Sequence, residues 1–167
     1  KQNIPVVLTR SEIASVLSNL RDHPLKWLIA AILYGCGLRL TEALQLRIKD
    51  IDFGQSIVIV RRSKGGKDRT VPLPQSLVEP LKNQIERSRS IHENDLRAGY
   101  GKVSLPFALA RKYPNANRYL IWQYVFPSTK LSRDPLSGEV KRHHLFDSIM
   151  EDAVRRTTQK SGITKRI

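Results

Sequence analysis

The sequence predicts a mainly α-helical domain with a small antiparallel β-hairpin or sheet, an α+β fold. Apolar residues recur at helical spacing in several segments, the first of which contains Ile13, Val16, Leu17 and Leu20. The β-branched run Ile57-Val58-Ile59-Val60 precedes a polar, glycine-bearing turn, as is typical of a hairpin. A length of 167 residues suits one domain with its own core.

Three helices are predicted before the hairpin. Thr9-Arg10-Ser11-Glu12 is a capping-box pattern and starts the first helix. Pro24 suits the first turn of the second, whose apolar body runs from Leu25 to Leu33 and ends at Gly35-Cys36-Gly37. Thr41-Glu42 then starts a short third helix.

The hairpin follows a predicted turn from Asp50 to Gly54, and its return strand is expected from Arg69 to Leu73. A long polar helix then continues to about Leu96. A final amphipathic helix, ending near Gly162, is marked by Phe146, Ile149, Met150, Ala153 and Val154.

Residues 97–141 mix glycine, proline, aromatic and basic residues without a sustained period. We expect one helical turn at 106–110 and one short strand at 124–126 within them. Because the segment is rich in aromatic residues, we interpret it as an ordered insertion and not as a linker.

The charge is strongly positive: 29 Lys and Arg stand against 15 Asp and Glu, a formal net charge of +14. Such a field attracts polyanions and favours nucleic acid as a partner. The alternative is a basic, solvated surface such as a ribosomal protein carries. The single cysteine, Cys36, excludes an internal disulfide and indicates a reducing compartment. No apolar stretch reaches the length of a membrane span.

The first candidate site is Gly37-Leu38-Arg39-Leu40-Thr41-Glu42. An arginine directly before a helix lies near free backbone N–H groups, which suits phosphate, and guanidinium binds two phosphate oxygens at once. Glu42 is positioned to orient Arg39. The alternative is a surface arginine in an ordinary loop, with Glu42 completing a helix cap.

The second candidate site is the basic turn Ser63-Lys64-Gly65-Gly66-Lys67-Asp68-Arg69 at the hairpin tip. Glycines allow close approach to a phosphate, and Lys64 is a mobile proton donor or point charge. The turn is not a Walker loop, because that motif requires glycine at Arg61 and Ser or Thr at Asp68. The alternative is a solvated, charged turn.

Together, the Gly-Leu-Arg-x-Thr-Glu helix start and the Lys-Gly-Gly-Lys-Asp-Arg hairpin resemble the catalytic domain of tyrosine recombinases, the phage integrase family. A third set of residues resembles the integron integrase branch, which recombines gene cassettes. These residues are Ala110 to Ala116, Trp122 to Ser128, and Arg142-His143-His144.

The resemblance implies site-specific DNA recombination and integration through a 3′-phosphotyrosine, without a cofactor. Arg39 would clamp the scissile phosphate with support from Glu42, and Lys64 would protonate the leaving 5′-oxygen. Lys67 and Arg69 would bind DNA. The implied partners are DNA, including folded single-stranded cassette sites, and further copies of the chain in a tetramer. No membrane partner is expected, and the implied location is the bacterial cytoplasm.

The family's remaining catalytic groups are a His-x-x-Arg, a later His or Trp, and the nucleophilic tyrosine. No histidine of the sequence has an arginine three positions later, and all five tyrosines precede the place where the family carries its nucleophile. We therefore expect residues 1–167 to be a partial catalytic domain, without its core-binding domain and C-terminal segment, that binds DNA weakly and is inactive alone.

The insertion supplies the candidate base contacts of the resemblance. Trp122 would stack on a base protruding from a folded site, and His143-His144 would contact another, with Pro135 packing beside them. Arg142 would also bind DNA. The alternatives are a core aromatic at Trp122 and a polar first turn of the last helix at the histidines. Paired histidines are also typical of a metal site. Because no Cys or carboxylate stands at ligand spacing from them, we assign no metal. A non-enzymatic DNA-binding module and a non-integron recombinase remain as alternative functions.

Overall fold

A helix of almost wholly apolar sequence, α2 (Pro24–Cys36), lies at the centre of the fold. The computed structural model describes residues 7–61 and 66–165. Leu28, Ile29 and Ile32 on α2 are almost completely buried in the main core. Helix α2 ends at Gly37, whose backbone has a φ of 63°, the left-handed conformation that glycine adopts without strain.

The other described helices are α1 (Arg10–Asn19), α3 (Leu40–Leu44), α4 (Val78–Arg97), α5 (Phe107–Lys112) and α6 (Ser148–Lys160). The predicted capping box is confirmed at α1, where Thr9 Oγ1 accepts from the Glu12 backbone and Glu12 Oε2 accepts from the Thr9 backbone. Within the described ranges, no helix is both long and apolar enough to cross a membrane.

The predicted hairpin is confirmed and belongs to a three-stranded antiparallel sheet of β1 (Ile51–Asp52), β2 (Ile57–Val60) and β3 (Arg69–Pro72). Val58 and Val60 face the core, which explains the β-branched run. The turn predicted from Asp50 to Gly54 is wrong in its first half, because residues 51–52 pair with β2 and the turn follows them.

A second hairpin, β4 (Pro127–Arg133) with β5 (Val140–His144), was not predicted as such. The strand expected at 124–126 is wrong: Tyr124 makes only an isolated bridge to Arg47, and the strand begins at Pro127. His143 and His144 lie in β5, so they are not the first turn of the last helix. That helix begins at Ser148, after an exposed Phe146.

A polar face of α4 holds the irregular segment between α4 and β4 in place. Gln84 Nε2 donates to the Val125 carbonyl at 2.9 Å, and Ser88 Oγ donates to the Tyr124 carbonyl at 2.7 Å. His92 Nε2 lies 2.9 Å from the Arg118 carbonyl. Because buried backbone carbonyls require partners, these polar side chains lie inside the protein.

The last group of this face, Asp95, forms a buried ion pair with Arg142 on β5. Arg142 Nη2 donates to Asp95 Oδ1 at 2.6 Å, and Nη1 donates to the Ser128 carbonyl at 2.7 Å. Only 13% of the Arg142 side chain and 8% of the Asp95 side chain are exposed. The pair therefore joins the second hairpin to α4.

We expect Arg142→Met to lower the free energy of unfolding by about 3 kcal/mol, because it leaves Asp95 buried without its cation. The double variant Asp95→Leu/Arg142→Met should recover part of the loss. Urea unfolding measures both. Arg155→Met, which breaks an exposed pair with Asp152, is the matched control and should cost at most about 1 kcal/mol. A loss at Arg142 no larger than at Arg155 would contradict this structural role.

Candidate functional site

The carboxylate of Glu42 joins two arginines from different parts of the chain. Oε1 accepts from Nη1 of Arg39 and from Nη1 of Arg69, each at 2.8 Å. Oε2 accepts from Nη2 of Arg69 and from the backbone N–H of Arg39, again at 2.8 Å. Arg69 thus binds the carboxylate through two parallel hydrogen bonds, the geometry that guanidinium favours.

Local structure explains how these groups meet. Ala43 and Leu44 of α3 are completely buried, which fixes this short helix against the core. Glu42 precedes them and reaches back to the backbone N–H of Arg39, the residue before the helix. Arg69 opens β3 opposite the buried Val60, so the sheet places its side chain beside α3.

The environment keeps Glu42 ionised. Its hydrogen bonds with Arg69, and then those with the backbone and side chain of Arg39, lower the pKa of Glu42 to about 2, although burial acts in the opposite direction. Only 8% of the side chain is exposed. One carboxylate therefore balances one of the two guanidinium charges, and the pair of arginines retains a net positive charge.

Arg39 is the outward-facing member of this cluster. Its Nη1 is bound to Glu42, yet 57% of its side chain is exposed. A cation that is fixed at one end and open at the other suits an anionic oxygen, because little reorganisation is needed when charge develops. The predicted contact between Glu42 and Arg39 is present, and the role of Arg39 as a phosphate clamp stays a prediction.

The other predicted catalytic residue, Lys64, lies outside the described residues. Lys67, which is described, is exposed, and its DNA contact stays a prediction. At the described base of the hairpin, Arg61 Nη1 donates to Asp68 Oδ2 at 3.0 Å and Arg61 Nε donates to Asp50 Oδ1 at 2.8 Å. These bonds connect both strands to the segment after α3.

A groove of about 620 Å³ runs from Glu42 to Trp122. The segment after α3 and the hairpin base form one wall, which contains Arg47, Lys49 and Arg61. The segment at 106–124 forms the other wall, including Trp122. The groove therefore combines three cations with an aromatic and aliphatic surface.

Arg47 attaches this second wall to the segment after α3. Its guanidinium donates to the Trp122 carbonyl at 2.6 Å and to the Ser104 carbonyl at 2.7 Å, and it stacks 4.6 Å from the Tyr124 ring centroid. Burial lowers the pKa of Arg47, and nearby Tyr124 and Asp50 oppose that effect. Sequence reasoning missed Arg47. Its position between apolar Leu46 and Ile48 was the available signal.

Trp122 ends the short 3₁₀ turn Leu120–Trp122 and is half-buried. Lys49 Nζ lies 4.5 Å from its ring centroid, within range of a cation–π contact. Trp122 also lines a second cavity of about 450 Å³, together with Tyr113, Tyr119 and Ile121. The indole is thus neither a fully buried core aromatic nor a free one, and base stacking stays a prediction.

The remaining predicted contacts are spread along the second hairpin. His143 and His144 are partly buried near the end of β5, where the His144 ring meets Tyr124 edge-on at 5.2 Å. Pro135 is exposed in the turn at the opposite end, beyond the pair Arg133–Val140. The length of the strands separates Pro135 from the histidines, and the DNA contacts of all three residues stay predictions.

Arg142 has its guanidinium bound to Asp95 and Ser128, so its DNA contact stays a prediction for a side chain already engaged inside the protein. No group of three or more His, Cys, Asp and Glu side chains suitable for a metal ion occurs in the part of the chain that the structure describes.

Residues 7–167 match the model of the phage integrase family. The chain belongs to this family. Among its relatives are integrase/recombinases of Escherichia coli and Pseudomonas aeruginosa, each 44% identical over 165 residues. The match covers 98% of this chain and 48% of each relative, so the chain spans about half the length of these curated relatives.

Other relatives of this chain have more specific names. The tyrosine recombinase XerA of Pyrococcus furiosus is 40% identical over 87 residues, which is 52% of this chain and 30% of that protein. These names do not separate the integron branch from other recombinases, and that branch stays a prediction.

Solved recombinase structures share the fold. XerA recombinase superposes with a TM-score of 0.62 at 22% identity, over 99% of this chain and 46% of that chain. The Tn1549 transposon integrase in complex with circular intermediate DNA gives 0.56 at 19%, over 100% and 48% respectively. The predicted fold, helix-rich with small antiparallel sheets as in tyrosine recombinase catalytic domains, is confirmed.

Acid should weaken the Glu42 cluster. Because the folded-state pKa is depressed, the stability that the Glu42 charge contributes is present above pH 4.5 and is lost as the pH falls toward 2. We expect Glu42→Gln to cost at most about 3 kcal/mol at pH 7, and its difference from the wild type to shrink across that window. Urea unfolding at stepped pH measures it.

Glu79→Gln is the matched control, since Glu79 is exposed and pairs with Lys82 across one turn of α4. Its effect on the free energy of unfolding should stay below about 1 kcal/mol at every pH. A Glu42 variant whose deficit is the same at pH 7 and at pH 2.5 would contradict the ionised cluster.

Proposed function

We propose that this chain supplies the phosphate-activating part of the active site of a site-specific DNA recombinase, which breaks and rejoins strands. The observation that carries the proposal is the exposed guanidinium of Arg39, anchored on the buried carboxylate of Glu42. Membership of the phage integrase family and the net charge of +14 support DNA as the substrate.

In the proposed reaction, a tyrosine hydroxyl attacks the scissile phosphorus, forms a 3′-phosphotyrosine and releases the 5′-oxygen of the DNA. Arg39 stabilises the charge that develops on the phosphate oxygens, and Glu42 holds Arg39 in place. Lys64 gives its proton to the leaving 5′-oxygen. The 5′-hydroxyl of a partner strand reverses the step, so no nucleotide cofactor is consumed.

The tyrosine and the His-x-x-Arg are proposed to come from sequence outside residues 1–167, in a longer recombinase that also carries a core-binding domain and assembles as a homo-tetramer on DNA. Coverage of only 48% of the relatives at 44% identity supports this arrangement. In isolation, residues 1–167 are then expected to bind DNA weakly and to leave it uncut.

The finer proposal is a gene-cassette integrase of the integron type. The segment at 97–141 would read a base that protrudes from a folded single strand, with Trp122 as the stacking surface. Two observations support it. Trp122 lines a cavity beside Tyr113 and Tyr119, and Arg47, which follows α3, holds the Trp122 backbone through a hydrogen bond to its carbonyl.

Arg39→Ala, made in a longer recombinase that contains this chain and a nucleophilic tyrosine, should abolish covalent protein–DNA adducts while DNA binding stays measurable. The reason is that the arginine acts on charge present in the transition state. Adducts trapped on a nicked DNA substrate and resolved by denaturing electrophoresis measure the first quantity, and a mobility-shift titration measures the second.

The matched control is Arg155→Ala, which removes the same charge from an exposed position on α6. It should leave adduct formation unchanged. Normal adduct formation by the Arg39 variant would contradict the clamp. If the variant lost both DNA binding and adduct formation, Arg39 would be assigned to DNA binding alone.

A folded cassette-site hairpin with protruding bases should bind more tightly than the same sequence as a perfect duplex. We expect Trp122→Ala to remove about 1–3 kcal/mol of that preference, the contribution of one stacked base. Fluorescence anisotropy at fixed salt measures both affinities. Tyr100→Ala is the control, because Tyr100 is exposed and lines neither of the two cavities. Equal affinities for the two DNAs would count against the integron assignment.

A further inference from the structure

The carboxylate of Asp50 lies in the groove wall formed by the segment after α3 and the hairpin base, and it is almost completely buried, with 4% of its side chain exposed. Oδ1 accepts from Lys49 Nζ at 3.0 Å and from Arg61 Nε at 2.8 Å. Oδ2 accepts from the backbone N–H of Arg47 at 3.2 Å. One buried oxygen therefore binds two cations, and each of these cations also contacts a different neighbouring residue.

The first of these cations, Lys49, braces Trp122. Its ammonium lies 4.5 Å from the Trp122 ring centroid, and 17% of its side chain is exposed. Trp122 lines both cavities, whereas Lys49 lines only the groove. The indole is therefore accessible from the second cavity while the ammonium contacts it from the groove.

The second cation, Arg61, closes the base of the β2–β3 hairpin. It follows the last residue of β2, and its Nη1 donates to Asp68 Oδ2 at 3.0 Å. Asp68 directly precedes Arg69, whose guanidinium is bound to Glu42. An unbroken series of contacts thus runs from Trp122 through Lys49, Asp50 and Arg61 to the strand that carries Arg69.

We propose that Asp50 is a positioning residue that couples the stacking face of Trp122 to the base of the catalytic hairpin, through Lys49 on one side and Arg61 on the other. A base that stacks on Trp122 would change how Lys49 shares the Asp50 oxygen, and Arg61 would respond. The use of this coupling in DNA recognition rests on the proposed function, whereas the coupling itself is a property of the protein alone.

The coupling is testable without DNA, because in the part of the chain that the structure describes Arg61 connects to Trp122 through Asp50, by way of Lys49 at the ring or Arg47 at the backbone. We expect Arg61→Gln to move the Trp122 indole N–H signal in a ¹H–¹⁵N spectrum of residues 1–167. Trp27, the other tryptophan, is the internal reference and should not move. Assignment uses Trp122→Phe, which removes one of the two indole signals.

The decisive comparison repeats Arg61→Gln in a Lys49→Met background. A shift that travels through the Lys49 contact should vanish there, whereas a direct effect of the lost Arg61 charge, or one that travels through Arg47, would persist. Glu12→Gln, which breaks a pair with Lys165 far along the chain, should leave the signal in place. The proposal would be overturned if Arg61→Gln did not move the Trp122 signal. It would also be overturned if Arg61→Gln moved the signal equally in the wild-type and Lys49→Met backgrounds.

A second measurement connects the coupling to DNA. Arg61→Gln should lower the preference for a protruding-base hairpin over a perfect duplex by about fivefold, the lower end of typical coupling between sites. The double variant Arg61→Gln/Lys49→Met should show the same preference for the hairpin as Lys49→Met alone. If wild-type protein shows no preference, the integron assignment fails, and the spectra still decide whether Asp50 couples the two sites.

Discussion

The carboxylate of Glu42 is the constraint on which the rest of the candidate site depends. It is carried by a short helix that completely buried Ala43 and Leu44 fix to the core, so its position is set by packing. A buried carboxylate needs donors, and here Arg39 and Arg69 supply them. The interaction draws β3 toward α3 and leaves the Arg39 guanidinium open to solvent, which is the arrangement that suits a phosphate.

Buried polar groups also hold the irregular part of the chain in place. The segment between α4 and β4 has few regular hydrogen bonds of its own, so its carbonyls take donors from elsewhere. Gln84 and Ser88 of α4 supply them on one side, and Arg47 supplies them on the other. The consequence for function is that Trp122 is held at a defined place beside the groove that leads to Glu42.

The sequence predicted the elements with strong local signals and missed those decided by distant partners. The capping box at Thr9, the β-branched strand β2 and the helices were correct because spacing, caps and branching act locally. His143 and His144 carry no comparable signal, and their place in β5 depends on pairing with β4, which begins at Pro127. The sequence predicted α4 only as a long polar helix, yet Ser88 and Asp95 are buried because Ser88 donates to the Tyr124 carbonyl and Asp95 pairs with Arg142.

The sequence alone therefore determined the family resemblance, the fold class and the proximity of Arg39 to Glu42, all of which follow from motifs and short-range spacing. Only the tertiary structure decided that Arg69 binds Glu42 as well as Arg39 does, and that Arg47 donates to the Trp122 carbonyl. It also decided that one Asp50 oxygen binds both Lys49 and Arg61. The physical reason is that a buried charge accepts whichever partner the packing brings within reach, and packing depends on residues far apart in the chain.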